Sequence, residues 1–191
     1  MLSRLMLVRC LVLALPASAT AQGLLDQKPR VAVITAFEPE LERTLAQAAI
    51  EASHTVNGVT FSTGTLGGRD VVIVMSGVSM VNATMLTQLA LDRFNVTGIV
   101  VSGIAGGVDP DLRIGDVVVA ERWGQYLETV LARDTPAGLK PPAFAKTDFP
   151  PFGPAFPQPV KVRTAKSPAG ESRFWFEADP ALLDRVRRLV G

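Results

Sequence analysis

The chain has almost none of the side chains on which metal and nucleophile chemistry is most often built. It carries one cysteine, Cys10, and one histidine, His54, in 191 residues. A zinc site needs a set of Cys and His ligands, and a serine-histidine-aspartate triad needs a histidine beside its nucleophile. Neither is expected here, and no metal or other cofactor is implied. His54 lies beside a turn signal and reads as a surface residue. Charge of one sign is missing too, since 19 basic and 18 acidic residues leave a formal net charge of +1. No Lys/Arg block with interleaved aromatics occurs, so nucleic acid is not an expected partner. The N-terminal apolar run is too short to span a bilayer, which argues against a stable membrane anchor.

What that run does resemble is an export signal. Arg4 and Arg9 supply positive charge, residues 10–16 form a short apolar core, and Ala19-Thr20-Ala21 offers a small-residue cleavage site before Gln22. The pattern predicts a signal peptide over residues 1–21, a periplasmic or secreted destination, and one domain over 22–191. Cys10 would leave with the signal, so the mature chain would rely on packing rather than a disulfide.

Val31-Ala32-Val33-Ile34-Thr35-Ala36 is a continuous apolar run of strand length, which predicts a strand buried on both faces. Glu38-Pro39-Glu40 then opens a helix, with Leu41, Leu45, Ala48, Ala49 and Ala52 on one face. Val59–Leu66 and residues 71–75 flank Gly67-Gly68-Arg69-Asp70 and read as a β-hairpin. A helix follows Ser76-Gly77-Val78-Ser79, its inner face predicted as Val81, Met85, Leu86, Leu89 and Ala90. Ser76 and Ser79 read first as N-terminal caps of that helix. Another buried strand begins at Gly98, and Gly115-Asp116 introduces a further one over residues 117–120. From about 135 to 159 the periodicity fails. Prolines crowd there with Phe144, Phe149, Phe152 and Phe156, which reads as a partly packed loop or insertion. Asp179-Pro180 opens a last amphipathic helix carrying Leu182, Leu183, Val186 and Leu189.

The strand from Gly98 runs into Ser102-Gly103-Ile104-Ala105-Gly106-Gly107, which places bare backbone at the carboxyl edge of a sheet, where α/β folds hold ligands. Glu38 and Glu40 follow the first strand, where a helix N-terminus favours carboxylates even without catalytic duty. Taken together, Ala36-Phe37-Glu38-Pro39-Glu40, Ser76-Gly77-Val78, Gly103-Ile104-Ala105-Gly106-Gly107 and Ile114-Gly115-Asp116-Val117-Val118 resemble the nucleoside phosphorylase and nucleosidase family. Within it they are most similar to the methylthioadenosine/S-adenosylhomocysteine nucleosidases. The resemblance runs over about residues 31–121.

It implies an α/β fold, a central mixed β-sheet flanked by helices, and hydrolysis of the N-glycosidic bond of a purine nucleoside or thionucleoside. Glu40 matches the glutamate that deprotonates the attacking water, and Ala105 and Gly106 match positions along which the purine lies. Phe37 and Val78 match apolar positions near the sugar and its 5′ substituent, while Ser76 and Ser102 border the same strand ends. The implied partners are a small-molecule purine nucleoside and a second copy in a homodimer. Phosphate-using relatives place arginines where this chain has Glu38, Glu40 and Val101, and carboxylates repel phosphate, so water is the expected co-substrate.

Two departures stand out. Ile104 occupies a position where nucleosidases commonly have a hydroxyl residue, leaving that hydrogen bond absent or supplied by Ser102. The family's ribose-binding Met-Glu pair and purine-protonating aspartate belong to later strands than this chain reaches, so the domain reads as truncated at its C-terminus and inactive in that form. A non-catalytic nucleoside-binding or storage-like protein and a phosphate-dependent phosphorylase remain open as alternatives.

Overall fold

The computed structural model describes residues 23–190. The expected signal peptide lies outside them. The chain divides after Gly106 into two units. The first contains β1 (Asp26–Thr35), α1 (Glu38–Leu45), β2 (Ala48–Val56), β3 (Val59–Leu66), β4 (Arg69–Met75), α2 (Met80–Arg93) and β5 (Phe94–Val101). Its sheet runs in the order β2-β3-β4-β1-β5. The pairs β2/β3 and β3/β4 are antiparallel, whereas β1 is parallel to both β4 and β5. This is the mixed sheet with flanking helices that the sequence predicts.

The uniform apolar character of β1 has its reason in this layout. Ala32 and Ile34 join Phe61, Val72, Val74 and Phe94 beneath Leu86 and Ala90 of α2. Val33 turns the other way, joining Val71 and Ile73 beneath Leu41 and Leu45 of α1. With helices on both faces, each large aliphatic side chain of this strand contributes roughly 1.5–3 kcal/mol by burial. The β3–β4 hairpin also forms as read, turning at Gly67 and Gly68 with both at positive φ.

Four expectations fail, each for a local reason. Ala48, Ala49 and Ala52 are not on the helix, because α1 ends at Leu45 and these residues lie in β2, paired to β3. Alanine favours a helix only weakly, and the β-branched run that follows is captured by strand pairing. Val81 and Met85 stay exposed at 76% and 57%, since the inward stripe of α2 runs through Leu86, Leu89 and Ala90. His54 is half-buried in β2, its ring 5.5 Å edge-on from Phe94, rather than a free surface residue. Residues 117–120 form no strand and Val117 and Val118 are exposed, because no neighbouring strand offers them a ladder.

The second unit holds β6 (Arg122–Gly124), β7 (Thr129–Leu131), β8 (Arg133–Thr135), β9 (Gly138–Lys140), β10 (Ala155–Pro157), β11 (Val160–Thr164), β12 (Ser167–Arg173), β13 (Trp175–Glu177) and α3 (Pro180–Val190). Its strands pair in twos, β6 with β13, β7 with β10, β8 with β9 and β11 with β12. The Pro-rich stretch is therefore less irregular than its sequence suggests, supplying β9 and β10. Its phenylalanines are mostly used for packing. Phe149 stacks on the buried Phe174, and Phe152 stacks on Tyr126, whereas Phe144 is exposed. The final helix starts as read, with the Asp179 side chain accepting the Leu182 N–H.

At the amino end of β1 the sheet holds a buried cation that the sequence does not advertise. Arg30 is only 4% exposed. Its guanidinium donates to Asp26 (2.6 Å), Glu51 (2.7 Å) and the carbonyl oxygens of Gly64 (2.9 Å) and Val71 (3.3 Å). It thereby ties β1 to β4, β3 and the outer strand β2. Glu51 is the extra residue of a bulge in β2 opposite Gly64, and a Cβ on Gly64 would stand 2.2 Å from the Ala49 carbonyl oxygen. Lys28 adds contacts to Asp70 and Glu51.

The Lys28 N–H beside Asp26 holds that carboxyl below its ordinary value, and the Arg30 guanidinium does the same for Glu51. A carboxyl lowered in the folded state stabilises the fold fully above its ordinary value of about 4, and loses that contribution as pH falls through the lowered one. Arg30→Gln is expected to cost about 2–3 kcal/mol at pH 7, by stranding buried acceptors. It should also flatten the acid limb of stability below about pH 4. Denaturant unfolding from pH 7 to pH 3 checks both.

Candidate active site

Because β4, β1 and β5 are parallel neighbours, their carboxyl ends fall side by side. The chain leaves β1 for α1, which packs on one face of the sheet, and leaves β4 for α2, which packs on the other. Such a divergence opens a crevice between adjacent strand ends. Backbone hydrogen bonds hold its rim together. Ser76 N–H donates to the Thr35 carbonyl (2.8 Å) and Ser102 N–H to the Ile34 carbonyl (3.0 Å).

Glu40 occupies the centre of this edge. It stands at the third position of α1, where a carboxylate can turn back and satisfy N–H groups that the helix leaves unpaired. Oε2 accepts from Ala36 N–H (2.7 Å) and Phe37 N–H (3.3 Å). Oε1 reaches across to the loop after β5 and accepts from Ile104 N–H (2.7 Å). Gly103 lies against the same carboxylate, so that a Cβ there would stand 3.1 Å from Oε1 and 3.4 Å from Oε2. A carboxylate offers about four acceptor positions. Three are taken by backbone, which fixes the group in place and leaves Oε1 capacity for one further proton donor.

The other residues singled out from sequence are distributed along the same edge. Phe37 is the half-buried N-cap residue of α1. Val78 is 73% exposed beside the start of α2. Ser102, Ala105 and Gly106 are exposed in the segment after β5. Ser76 is no cap: its buried hydroxyl lies within hydrogen-bond distance of the Thr35 (3.1 Å) and Gly77 (2.9 Å) carbonyl oxygens, between which its one proton is placed, and Ser79 caps α2 by accepting the Asn82 N–H. Direct hydrogen bonds join Glu40 to Phe37 and to Ile104.

Sequence reasoning missed the roles of the Ala36 and Ile104 amides and of Gly103 as a spacer. Ile104 was notable only for lacking a hydroxyl, yet its backbone is what holds Glu40. Main-chain donors carry no residue signature, although glycine immediately before one hints at close approach. Chemically, the arrangement is a fixed acceptor at a crevice mouth beside exposed, side-chain-poor backbone. It suits proton abstraction from a bound water or hydroxyl.

A family model described as the phosphorylase superfamily matches residues 30–189. A 5′-methylthioadenosine/S-adenosylhomocysteine nucleosidase of Shewanella denitrificans is 39% identical over 92 residues, covering 48% of this chain and 40% of that protein. The Tolumonas auensis nucleosidase of the same name is 36% identical, with the same coverage. This chain thus spans about two fifths of the length of the curated relatives it matches. Among solved structures, an S-adenosylhomocysteine nucleosidase from Streptococcus pyogenes in complex with 5-methylthiotubericidin superimposes with a TM-score of 0.60 at 26% identity. That match covers 90% of this chain and 58% of the other. The Streptococcus pneumoniae MTA/SAH nucleosidase in complex with 8-aminoadenine gives a TM-score of 0.61 over 83% of this chain and 58% of its own, at 23% identity. The latter likeness speaks for the fold alone.

Replacing Gly103 by alanine should push the Glu40 carboxylate aside by a few tenths of an ångström and weaken its bond to Ile104 N–H. Amide hydrogen exchange at Ile104 is expected to accelerate severalfold, while global stability changes by about 1 kcal/mol or less, because alanine also restricts the unfolded chain. Exchange at Ile104 unchanged from the parent would show that the glycine is not a spacer for the carboxylate.

Proposed function

The chain belongs to the phosphorylase superfamily, and from that premise we propose that its strand-end crevice serves hydrolysis of the N-glycosidic bond of a purine nucleoside or 5′-thionucleoside, with Glu40 as general base. The observation that carries this reading is the Glu40 carboxylate, fixed by three backbone N–H groups from two segments with acceptor capacity left on Oε1. A water hydrogen-bonded there would attack the anomeric carbon, passing a proton to Glu40 as the bond to the purine nitrogen breaks and its electron pair enters the base. Positioned acid–base assistance of this kind is worth about 10²–10⁴-fold. Departure of the base also needs a proton, which Glu40 does not supply in the same step.

The names of the matched nucleosidases support this substrate class. Exposed Ala105 and Gly106 offer a side-chain-poor surface for a flat base, and Phe37 and Val78 offer apolar contacts for a 5′ substituent. Water is favoured over phosphate because the first turn of α1 carries Glu38 and Glu40 and no cation. A second reading, nucleoside binding without turnover, draws on Ile104. Its apolar side chain is 82% exposed at this edge and can orient no water by hydrogen bonding.

The test is purine release from methylthioadenosine, adenosine and inosine by the full chain, with and without phosphate, set beside direct binding of the same nucleosides. Where release occurs, against the inactivity expected from the sequence, it should be phosphate-independent and fall by about 10²–10⁴-fold in Glu40→Gln with nucleoside binding retained. Binding without release from any of the three would establish the second reading. Strict phosphate dependence would overturn hydrolysis in favour of phosphorolysis.

A further inference from the structure

Alongside α1 the first unit carries an open groove of about 410 Å³ that the proposed chemistry does not use. Its floor is apolar, made by Val33 of β1, Val100 of β5 and Leu66 of β3. Its polar groups are few: Arg43 and Gln47 near the end of α1, and Ser102 just past β5. Thr44 also lines it, but the Thr44 hydroxyl already donates to the Glu40 carbonyl (2.8 Å). A mostly apolar concavity with a small number of placed polar groups is the usual composition of a small-molecule site.

The charge of the groove narrows the class of occupant. Among the described residues Arg43 takes part in no ion pair, unlike Lys28 and Arg30 of the same unit. One guanidinium with no carboxylate partner, set beside an apolar floor, complements a single negative charge on an apolar body. An inorganic phosphate would leave the floor unfilled, and a neutral apolar molecule would leave the guanidinium to solvent and gain nothing from its charge. We propose that this groove binds a small monocarboxylate with an aliphatic body, its carboxylate on Arg43 and its chain on Val33, Val100 and Leu66.

Such an occupant would touch both elements that hold the Glu40 carboxylate. Ser102, two residues before Ile104, is anchored to Ile34 through its N–H, and Thr44 is anchored to the carbonyl of Glu40 itself. Binding in the groove therefore bears on the strand-end crevice from behind, whatever reaction that crevice performs.

Amide NMR titration of the full chain with hexanoate tests the proposal, with 1-hexanol and acetate as comparisons and Arg43→Gln as the variant. Arg43 is exposed on α1, and the amide spectrum of the variant reports its fold directly. The expected result is saturable shifts at Val33, Leu66 and Val100, with hexanoate binding at least about 10-fold more tightly than either comparison. In Arg43→Gln that advantage over hexanol should disappear. Absence of saturation, equal affinity for hexanol, or undiminished hexanoate binding by the variant would each overturn it. So would shifts centred on Phe37, Val78 and Ile104, which would place the carboxylate in the crevice instead.

Discussion

Three backbone N–H groups share one carboxylate at the carboxyl edge of the sheet, and the local architecture depends on that sharing. Ala36 and Phe37 belong to the turn out of β1, and Ile104 to the loop out of β5. Nothing in strand pairing fixes these two segments to each other once the strands have ended. Glu40 does so because an ionised carboxyl accepts on both oxygens and donates from neither. A side-chain amide would turn its NH₂ toward at least one of the three donors. The residue that would take a proton from water is thus also the residue that builds the place where water would stand.

This arrangement has a counterpart at the other end of β1. There Arg30 gathers Asp26, Glu51 and two carbonyl oxygens, joining β1 to its neighbour β4 and to β3 and β2 beyond it. Between these two ends the interior of β1 is uncharged and its packing is apolar on both faces. Such a division is physically economical. Hydrophobic burial is non-directional and sets that the layers associate, while the charge-assisted hydrogen bonds at the two ends are directional and set which segments meet. The bulge at Glu51 and the absence of a side chain at Gly64 belong to the Arg30 end, where Glu51 and the Gly64 carbonyl both meet the guanidinium and a Cβ on Gly64 would collide with the Ala49 carbonyl oxygen.

The first unit was legible in sequence wherever one local signal and the tertiary environment agreed. The apolar run of β1, the glycine turn between β3 and β4, and the glycine-rich exit from β5 each carry their own signature, and each stands where expected. Reading failed where the deciding partner is distant. Ala48, Ala49 and Ala52 suit a helix locally, and only pairing with Thr63, Thr65 and Leu66 makes them a strand. Residues 117–120 suit a strand locally and lack a partner to make them one. At the candidate site, the glutamate was visible as a residue type at a strand end. Its partners were not, because they are main-chain donors. Arg30 was invisible for a related reason, since nothing near it in sequence distinguishes a buried arginine from a solvated one.

The crevice is also where the first unit departs furthest from comfortable geometry. Ser79, a non-glycine residue, adopts φ of 120° at the N-cap of α2. The hydroxyl of Thr35, the last residue of β1 and 1% exposed, has no hydrogen-bond partner among the described residues. Strained backbone costs on the order of 1–3 kcal/mol, and a buried unpaired hydroxyl a similar amount. Both costs fall at one edge, next to a carboxylate held by donors from two segments, while the amino end of the same sheet is closed by a well-partnered arginine. Stability is therefore distributed unevenly along β1, concentrated at the Arg30 end and spent at the Glu40 end. That is the distribution expected when an edge is shaped by what it must hold rather than by what makes the fold most stable.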